Sequence, residues 1–209
     1  MVSDENVWSS TGGMDIVDYK LAGDTALKID LSNANAQETG FGKATFVNIE
    51  GVAGGGGNDV FTGSTGDNIF EGRGGNDTFN IGNGGQDTLL YKLLNEADAT
   101  GGNGSDVVKG FTLGTWEGTA DSDRIDLSDL LQGSGYTANE SAHYINGIAQ
   151  MDDPNSELLS YLKVTTEGSN TLIQVDLSGQ GGDFTTLVTL NGVQTDLATL
   201  LANHQLIVG

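Results

Sequence analysis

Residues 54–90 read GGGGNDVFT GSTGDNIFE GRGGNDTFN I GNGGQDTLL, and the rest of the chain is best understood from this stretch. It consists of nine-residue units with the pattern G-x-x-G-x-D-x-apolar-x, and one inserted residue, Ile81, precedes the last unit. After a longer interruption at residues 91–100, the pattern returns at residues 101–109 as GGNGSDVVK. Units that recur in phase are typical of repeat architectures, and they argue against an ordinary Gly-rich linker.

Two positions of the unit carry most of the information. A strand at positions 7 to 9 points its middle side chain inward, and two units can close one coil with strands on two faces. Stacked coils then form two parallel sheets around an apolar core. We therefore predict a mainly β solenoid. Position 6 holds Asp59, Asn68, Asp77, Asp87 and Asp106, and position 8 holds Phe61, Phe70, Phe79, Leu89 and Val108.

The spacing also predicts which position-6 residues stack on one edge. Asp59 and Asp77 are 18 residues apart, Asn68 and Asp87 are 19 apart, and Asp87 and Asp106 are again 19 apart. Acids on neighbouring strands lie about 5 Å apart and repel unless a cation lies between them. We expect each of these pairs to share an edge.

Glycines allow the turns to adopt positive φ and to aim successive carbonyl groups in different directions. Carbonyls of two adjacent coils, with a carboxylate from each, would surround a Ca²⁺ ion with six oxygens, whereas Mg²⁺ demands a tighter octahedron. Several calcium ions are therefore expected. Besides the position-6 residues, the candidate ligands are Gly54, Gly56, Gly63, Thr65, Gly72, Gly74, Gly75, Gly82, Gly84, Gly85, Gly102 and Gly104.

The composition excludes several other functions. The 209 residues include 29 acidic and only 8 basic ones, a formal charge of -21, which disfavours nucleic acid and anionic membranes as partners. With 33 glycines and no cysteine, the chain suits a hard cation and not a thiolate metal site. No apolar run reaches the length of a membrane span. His143 and His204 lack a catalytic sequence context, so we expect no enzyme.

The sequence before the units looks like an irregular version of them. Residues 10–18 form a degenerate unit with Asp15 at position 6 and Val17 at position 8. Residues 26–31 and 45–52 alternate as strands. We therefore assign residues 1–53 to irregular N-terminal solenoid coils and residues 54–109 to the repeat region.

After the units, residues 121–131 read DSDRIDLSDLL. We predict a last strand at residues 124–127 and a short helix capped by Ser128. Asp121 and Asp123 precede that strand, where they either contribute to a last calcium site or form a solvated acidic turn. A second loop, with Asp176 and Asp183 at its ends, is another candidate cation site, although exposed loop acids are the more ordinary interpretation.

The rest of residues 110–209 predicts a C-terminal antiparallel β and short-helix cap. Strands are expected at residues 158–166, 171–177 and 184–190, with a hairpin turn at residues 167–170. Thr195 would cap a helix at residues 196–203. The chain then ends in an apolar stretch at residues 205–208.

The nine-residue units resemble the RTX (repeats-in-toxin) nonapeptide. In that family the repeats form calcium-binding parallel β-rolls in proteins exported by type I secretion systems. The resemblance implies the same fold and calcium ligands over residues 54–109, and Asn68 departs from the usual Asp.

The stretches DRIDLSDLL, FTTLVTLNGV and DLATLLANHQLIV resemble the C-terminal targeting region of large RTX adhesins of Gram-negative bacteria. That likeness implies a module of a cell-adhesion or biofilm protein, secreted to the cell surface, whose C-terminal signal engages the transporter. It also implies a chain that is unfolded in low-calcium cytosol and folds outside. The alternative is a surface- or glycan-binding module in residues 132–209, and other parts of the parent protein could bind surface glycans.

Overall fold

The computed structural model describes residues 5–95, 97–137, 144–145, 148–149 and 157–209. This part of the chain is mainly β, as predicted, with a 3-10 turn at Lys20–Ala22 and short helices α1 (Ser128–Gly133), α2 (Glu157–Tyr161) and α3 (Leu197–Ala202). No helix in the described residues is long and apolar enough to cross a membrane. The strands are, in chain order, β1 (Glu5–Ser9), β2 (Ile16–Asp18), β3 (Lys28–Asp30), β4 (Gln37–Glu38), β5 (Lys43–Val47), β6 (Gly51–Ala53), β7 (Val60–Thr62), β8 (Ile69–Glu71), β9 (Thr78–Asn80), β10 (Thr88–Leu90), β11 (Asp106–Lys109), β12 (Arg124–Asp126), β13 (Tyr144–Ile145), β14 (Ile148–Ala149), β15 (Leu162–Glu167), β16 (Asn170–Val175), β17 (Thr185–Asn191) and β18 (Leu206–Ile207).

Two sheets contain the strands of the repeat units. The first sheet has the order β18-β12-β10-β8-β6-β2, and its strands are parallel. The second has the order β15-β16-β17-β11-β9-β7-β3, parallel from β3 to β17 and antiparallel beyond. From β8 to β12, successive strands alternate between the sheets, and each pairs with the strand two steps earlier. The expectation of parallel sheets is confirmed.

The core lies between these sheets and is built from position 8 of the units. Phe61, Phe70 and Phe79 are at most 1% exposed, while the residues on either side of each are only partly buried. The ring centroids of Phe61 and Phe70 lie 6.0 Å apart, and those of Phe61 and Phe79 lie 5.9 Å apart. Full burial of such a side chain contributes about 1.5–3 kcal/mol. The predicted inward direction of position 8 is therefore confirmed.

Upstream, the expected degenerate unit forms β2, and Val17 pairs with Val52 of β6 in the first sheet. The expected strand at residues 26–31 is β3, which pairs with β7. The single strand predicted for residues 45–52 is wrong. Asn48 adopts a φ of 51°, and this turn separates β5, which pairs with β1 and β4, from β6.

The C-terminal region differs from the prediction at its element ends. The strand expected from residue 158 begins only at Leu162, because α2 occupies the residues before it. The α3 helix is capped by Asp196, whose carboxylate accepts from Thr199 N–H at 2.7 Å, and not by Thr195. Similarly, Ser128 is the first residue of α1, since Leu127 takes the N-cap position.

The two sheets end differently at the C-terminal side. In the second sheet, β17 pairs in parallel with β11 and then continues into the antiparallel hairpin β15-β16, whose turn at residues 167–170 is as predicted. In the first sheet, β18 pairs in parallel with β12. The prediction of a purely antiparallel cap is therefore wrong, because each sheet is first extended by a parallel strand, β17 or β18.

Candidate functional site

Position 6 of the units forms a row of buried side chains along the second sheet. We call Asp59, Asp77 and Asp106 the first row. Asp59 and Asp77 directly precede β7 and β9, and Asp106 is the first residue of β11. Asp77 Oδ1 accepts from Asp59 N–H at 2.7 Å, and Asp106 Oδ1 accepts from Asp77 N–H at 2.8 Å. Asp59 Oδ1 accepts in the same way from Leu27 N–H at 2.8 Å. Each carboxylate therefore ties its strand to the preceding neighbour.

A second row runs along the first sheet and consists of Asn68, Asp87 and Asp123. Asn68 N–H donates to Asp87 Oδ1 at 2.8 Å, and Asp87 N–H donates to Asp123 Oδ1 at 3.0 Å. The Asn68 amide reaches the Glu50 carbonyl at 3.1 Å. Asp123, which the sequence left between two interpretations, thus has the same geometry as the position-6 residues. The neighbouring Asp121 is exposed.

The predicted stacking of Asp87 with Asp106 is wrong, because these residues lie in different rows. Strand β10 belongs to the first sheet and β11 to the second. The spacing of 19 between the two acids covers one step from sheet to sheet plus an insertion, whereas the same spacing between Asn68 and Asp87 covers two steps. The other two predicted pairs do share a row.

Burial makes these carboxylates unfavourable in their charged form. Asp59, Asp77, Asp87, Asp106 and Asp123 are each at most 1% exposed. Burial, with the negative charge of Asp106 as the next cause, raises the pKa of Asp77 to about 8. Burial also raises the pKa of Asp87 to about 8, that of Asp106 to about 7 and that of Asp123 to about 6, and it raises the pKa of Asp59. The rows therefore favour a proton or another cation beside them.

The second oxygens of two of these acids lack a hydrogen-bond partner. Three buried side-chain atoms of the described residues have no hydrogen-bond partner: Asp77 Oδ2, Asp87 Oδ2 and the Thr195 hydroxyl oxygen, and only the first two belong to carboxylates. A buried polar atom in this state is rare in native proteins and calls for an explanation such as a bound ion. Within the part of the chain that the structure describes, these two carboxylate oxygens are the strongest indication of a bound cation.

The glycines at position 1 make room for the carboxylates. A Cβ built on Gly54 would collide with Asp59 Oδ2, and one built on Gly72 would collide with Asp77 Oδ2. The turn backbone therefore wraps closely around the second oxygen. The other predicted glycines and Thr65 lie in these same turns, and several approach the neighbouring turn through backbone atoms: Gly56, Gly74, Gly75, Gly82, Gly85 and Gly104.

Two of the predicted carbonyl ligands already accept hydrogen bonds. Arg73 Nη1 donates to the Gly54 carbonyl, and Asn83 Nδ2 donates to the Gly63 carbonyl, both at 2.7 Å. Arg73 and Asn83 occupy position 2 of their units, a position to which the sequence interpretation gave no role. Each carbonyl oxygen has two lone pairs, so one remains for another partner.

Position 5 forms a further ladder that sequence reasoning missed. Asn58 Oδ1 accepts from Asn76 N–H at 2.8 Å, and Asn76 Oδ1 accepts from Ser105 N–H at 2.9 Å. In the other set of turns, Asp67 Oδ1 accepts from Gln86 N–H at 2.8 Å. The recurrence of Asn or Asp at position 5 was the available signal. These bonds run in the opposite direction to those of position 6, so adjacent turns are linked both ways.

A second group of acids forms local hydrogen bonds where a strand ends. The sequence Asp-Leu-Ser occurs three times at the end of a strand, with the Asp either the last residue of the strand or the next one. Each time the Asp Oδ1 accepts from both the N–H and the hydroxyl of the Ser two residues later. The threefold recurrence of Asp-Leu-Ser in the sequence is the signal for this motif. The three acids are Asp30, Asp126 and Asp176.

The loop after Asp176 does not present a free carboxylate. Asp176 Oδ2 also accepts from Gly182 N–H at 3.0 Å and from Asp183 N–H at 3.3 Å. Hydrogen bonds, led by that of the Ser178 hydroxyl, lower the pKa of Asp176. Four donors thus stabilise its charge without a cation.

The described residues bring no three His, Asp or Glu side chains together as a metal-binding group. His204 pairs at the surface with Glu117, with Nδ1 2.5 Å from Oε1, and it follows the C-cap of α3. His143 lies outside the described residues. Comparison with protein-family models and with curated proteins finds no match to this chain.

Proposed function

We propose that the chain is a non-enzymatic calcium-binding module whose repeat units form a parallel β-roll of the RTX type. The observation that carries the proposal is the pair of buried oxygens, Asp77 Oδ2 and Asp87 Oδ2, that lack a hydrogen-bond partner. Leaving a buried carboxylate uncompensated costs several kcal/mol. A calcium ion beside each oxygen would remove that cost and keep the carboxylate ionised.

The strand pairing supports the β-roll. Strands of successive units alternate between two sheets and pair with the strand two steps away. That pairing is what a chain winding around a common core produces, since every pair of units returns it to the same sheet. The five apolar residues at position 8 fill that core.

The turns offer the ligands that calcium prefers. Calcium takes six to eight oxygens in flexible geometry, including carboxylates and backbone carbonyls. In this proposal Asp77 and Asp87, whose second oxygens lack a partner, supply carboxylate oxygens. The position-1, position-3 and position-4 residues supply carbonyl oxygens from facing turns. Magnesium demands a near-ideal octahedron and keeps several waters, so calcium suits a site built from carboxylates and backbone carbonyls better than magnesium does.

Binding would couple calcium to folding. Each site held at about 100 times its Kd adds about 2.7 kcal/mol to the stability of the folded state. Two or three such ions would contribute on the order of 5–8 kcal/mol, comparable to the whole stability of a typical domain. Without calcium, the buried charges of the rows oppose folding.

This coupling suits a chain exported by a type I secretion system. In low-calcium cytosol the chain would stay unfolded and pass a channel, and outside the cell it would fold. The likeness of residues 123–131, 184–193 and 196–208 to the end of large RTX adhesins supports a secreted, cell-surface location in a Gram-negative bacterium. A fusion of residues 110–209 to a passenger protein, assayed for export, tests this part.

The calcium function is tested by circular dichroism of the whole chain in chelator and during calcium titration. We expect little β signal in chelator and a cooperative gain on adding calcium. The variant Asp129→Asn, which removes an exposed acid of α1, serves as control and should titrate like the wild type. A chain that is fully folded in chelator and does not respond to calcium would refute the proposal.

A further inference from the structure

The five acids of the two rows share one contact and differ in what Oδ2, their second carboxylate oxygen, contacts. Every Oδ1 atom of the row acids accepts a backbone N–H from the neighbouring strand. The middle acids, Asp77 and Asp87, have no partner for Oδ2. The remaining members can therefore be compared directly with these two.

The last acid of the first row is satisfied by a tyrosine. The Tyr91 hydroxyl donates to Asp106 Oδ2 at 2.9 Å, and both side chains are buried. Tyr91 is 3% exposed and is part of the hydrophobic core, so it cannot move aside without leaving that core. The positive end of its O–H dipole lies where a cation would otherwise approach.

The last acid of the second row is satisfied by backbone. Thr112 N–H donates to Asp123 Oδ2 at 2.7 Å. The first members also have protein partners, since Gly55 N–H reaches Asp59 Oδ2 at 3.2 Å and Asn68 carries an uncharged amide. In both rows, only the middle member is left unsatisfied.

We infer that each row holds its cation at the middle acid, and that Tyr91 and Thr112 N–H take the place of a cation at the C-terminal ends. This inference rests on the proposed calcium function. Asp77 and Asp87 are then cation ligands, whereas Asp106 and Asp123 are positioning residues that hold the neighbouring turns. Tyr91 closes the first row with a hydrogen bond instead of an ion.

The test is the number of calcium ions bound per chain, measured by isothermal titration calorimetry on the full chain. Four Asp→Asn variants are compared with the wild type, at Asp77, Asp87, Asp106 and Asp123. We expect Asp77→Asn and Asp87→Asn each to bind one ion fewer. Asp106→Asn and Asp123→Asn should keep the wild-type number.

A lost ion in Asp106→Asn or Asp123→Asn, or the full number in Asp77→Asn, would overturn the inference while leaving calcium binding itself intact. A wild-type chain that binds no calcium would instead refute the proposed function. If Asp106→Asn does not fold, Tyr91→Phe decides, because it keeps the ring and removes only the hydroxyl. It leaves Asp106 Oδ2 without its donor, so one additional ion is expected, and the wild-type number would overturn the role of Tyr91.

Discussion

The turn at residues 72–77 and the loop at residues 176–183 have similar composition. They differ in whether hydrogen-bond donors satisfy both oxygens of the buried carboxylate. Both are Gly-rich, and Asp77 and Asp176 are each at most 4% exposed. Asp77 leaves one oxygen without a partner, and burial raises its pKa to about 8. Asp176 accepts four hydrogen bonds, and its pKa is lowered.

The difference shows that acid and glycine content does not by itself define a cation site. In the loop, the chain folds back on its own acid, and local N–H and hydroxyl groups supply the positive charge. In the turn, the backbone N–H that contacts the acid comes from a neighbouring strand and reaches only one oxygen. What remains unsatisfied after folding decides where an ion is needed.

The largest effect is expected when the charge of each carboxylate is removed by an Asp→Asn substitution. Asp77→Asn should raise the calcium midpoint of folding at least tenfold, because a ligand is lost, and should increase stability in chelator, because a buried charge is removed. Asp176→Asn should lower stability by about 1–3 kcal/mol in saturating calcium, because donors are left unsatisfied. Calcium titrations and urea unfolding measure both. Equal calcium midpoints for the two variants would show that Asp77 is no more a calcium ligand than Asp176 is.

The two places should also respond oppositely to pH. The row acids have a folded-state pKa above the unfolded value of about 3.9, so their contribution to stability is full below that value and is lost as pH rises towards 8. Asp176, with a lowered pKa, contributes above about pH 4 and loses its contribution as pH falls further.

In chelator, we therefore expect the chain to gain β signal and stability, on the order of a few kcal/mol, when pH falls from 8 to 5. In the double variant Asp77→Asn, Asp87→Asn most of that gain should disappear. Far-ultraviolet circular dichroism with urea unfolding at each pH measures it. A calcium-free chain that loses stability on the same change of pH would contradict the assignment of the raised pKa values.

A Gly→Ala substitution in each region should give a smaller difference in stability. In Gly72→Ala the new methyl would meet Asp77 Oδ2, and such overpacking typically costs about 1–3 kcal/mol. In Gly182→Ala the new methyl meets nothing within 4 Å, so stability should change by no more than about 0.5 kcal/mol. Urea unfolding in saturating calcium compares them, and similar losses would show that the turn is no tighter than the loop.

The smallest expected effect concerns position 2 of the turn. Arg73 donates to both Asp18 oxygens, at 2.7 and 2.9 Å, and to the Gly54 carbonyl. Because Asp18 is half exposed, Arg73→Gln should lower stability by about 1 kcal/mol or less. The exposed Lys109→Gln is the charge-matched control and should change stability by less than about 0.5 kcal/mol. If Arg73→Gln lowers stability no more than the control does, the ion pair between Arg73 and Asp18 does not contribute to stability.

Much of the repeat region could be predicted because its signals are local. The period of nine places one apolar residue in the middle of each short strand, and Phe61, Phe70 and Phe79 follow it. Element ends were less predictable. Asp196 caps α3 in place of Thr195, since both residue types are good caps and only the backbone conformation selects one.

The sequence by itself determined the strand period, the buried position 8 and the chemical type of the candidate ligands, because each depends on residues within one unit. Only the tertiary structure decided that Asp87 faces Asp123 and that Asp77 faces Asp106, because the length of an insertion does not reveal which sheet the next strand joins. It also decided which carboxylate oxygens remain without a partner. Tyr91 reaches Asp106 across 15 residues of chain, and such a contact exists only once the strands are assembled around a common core.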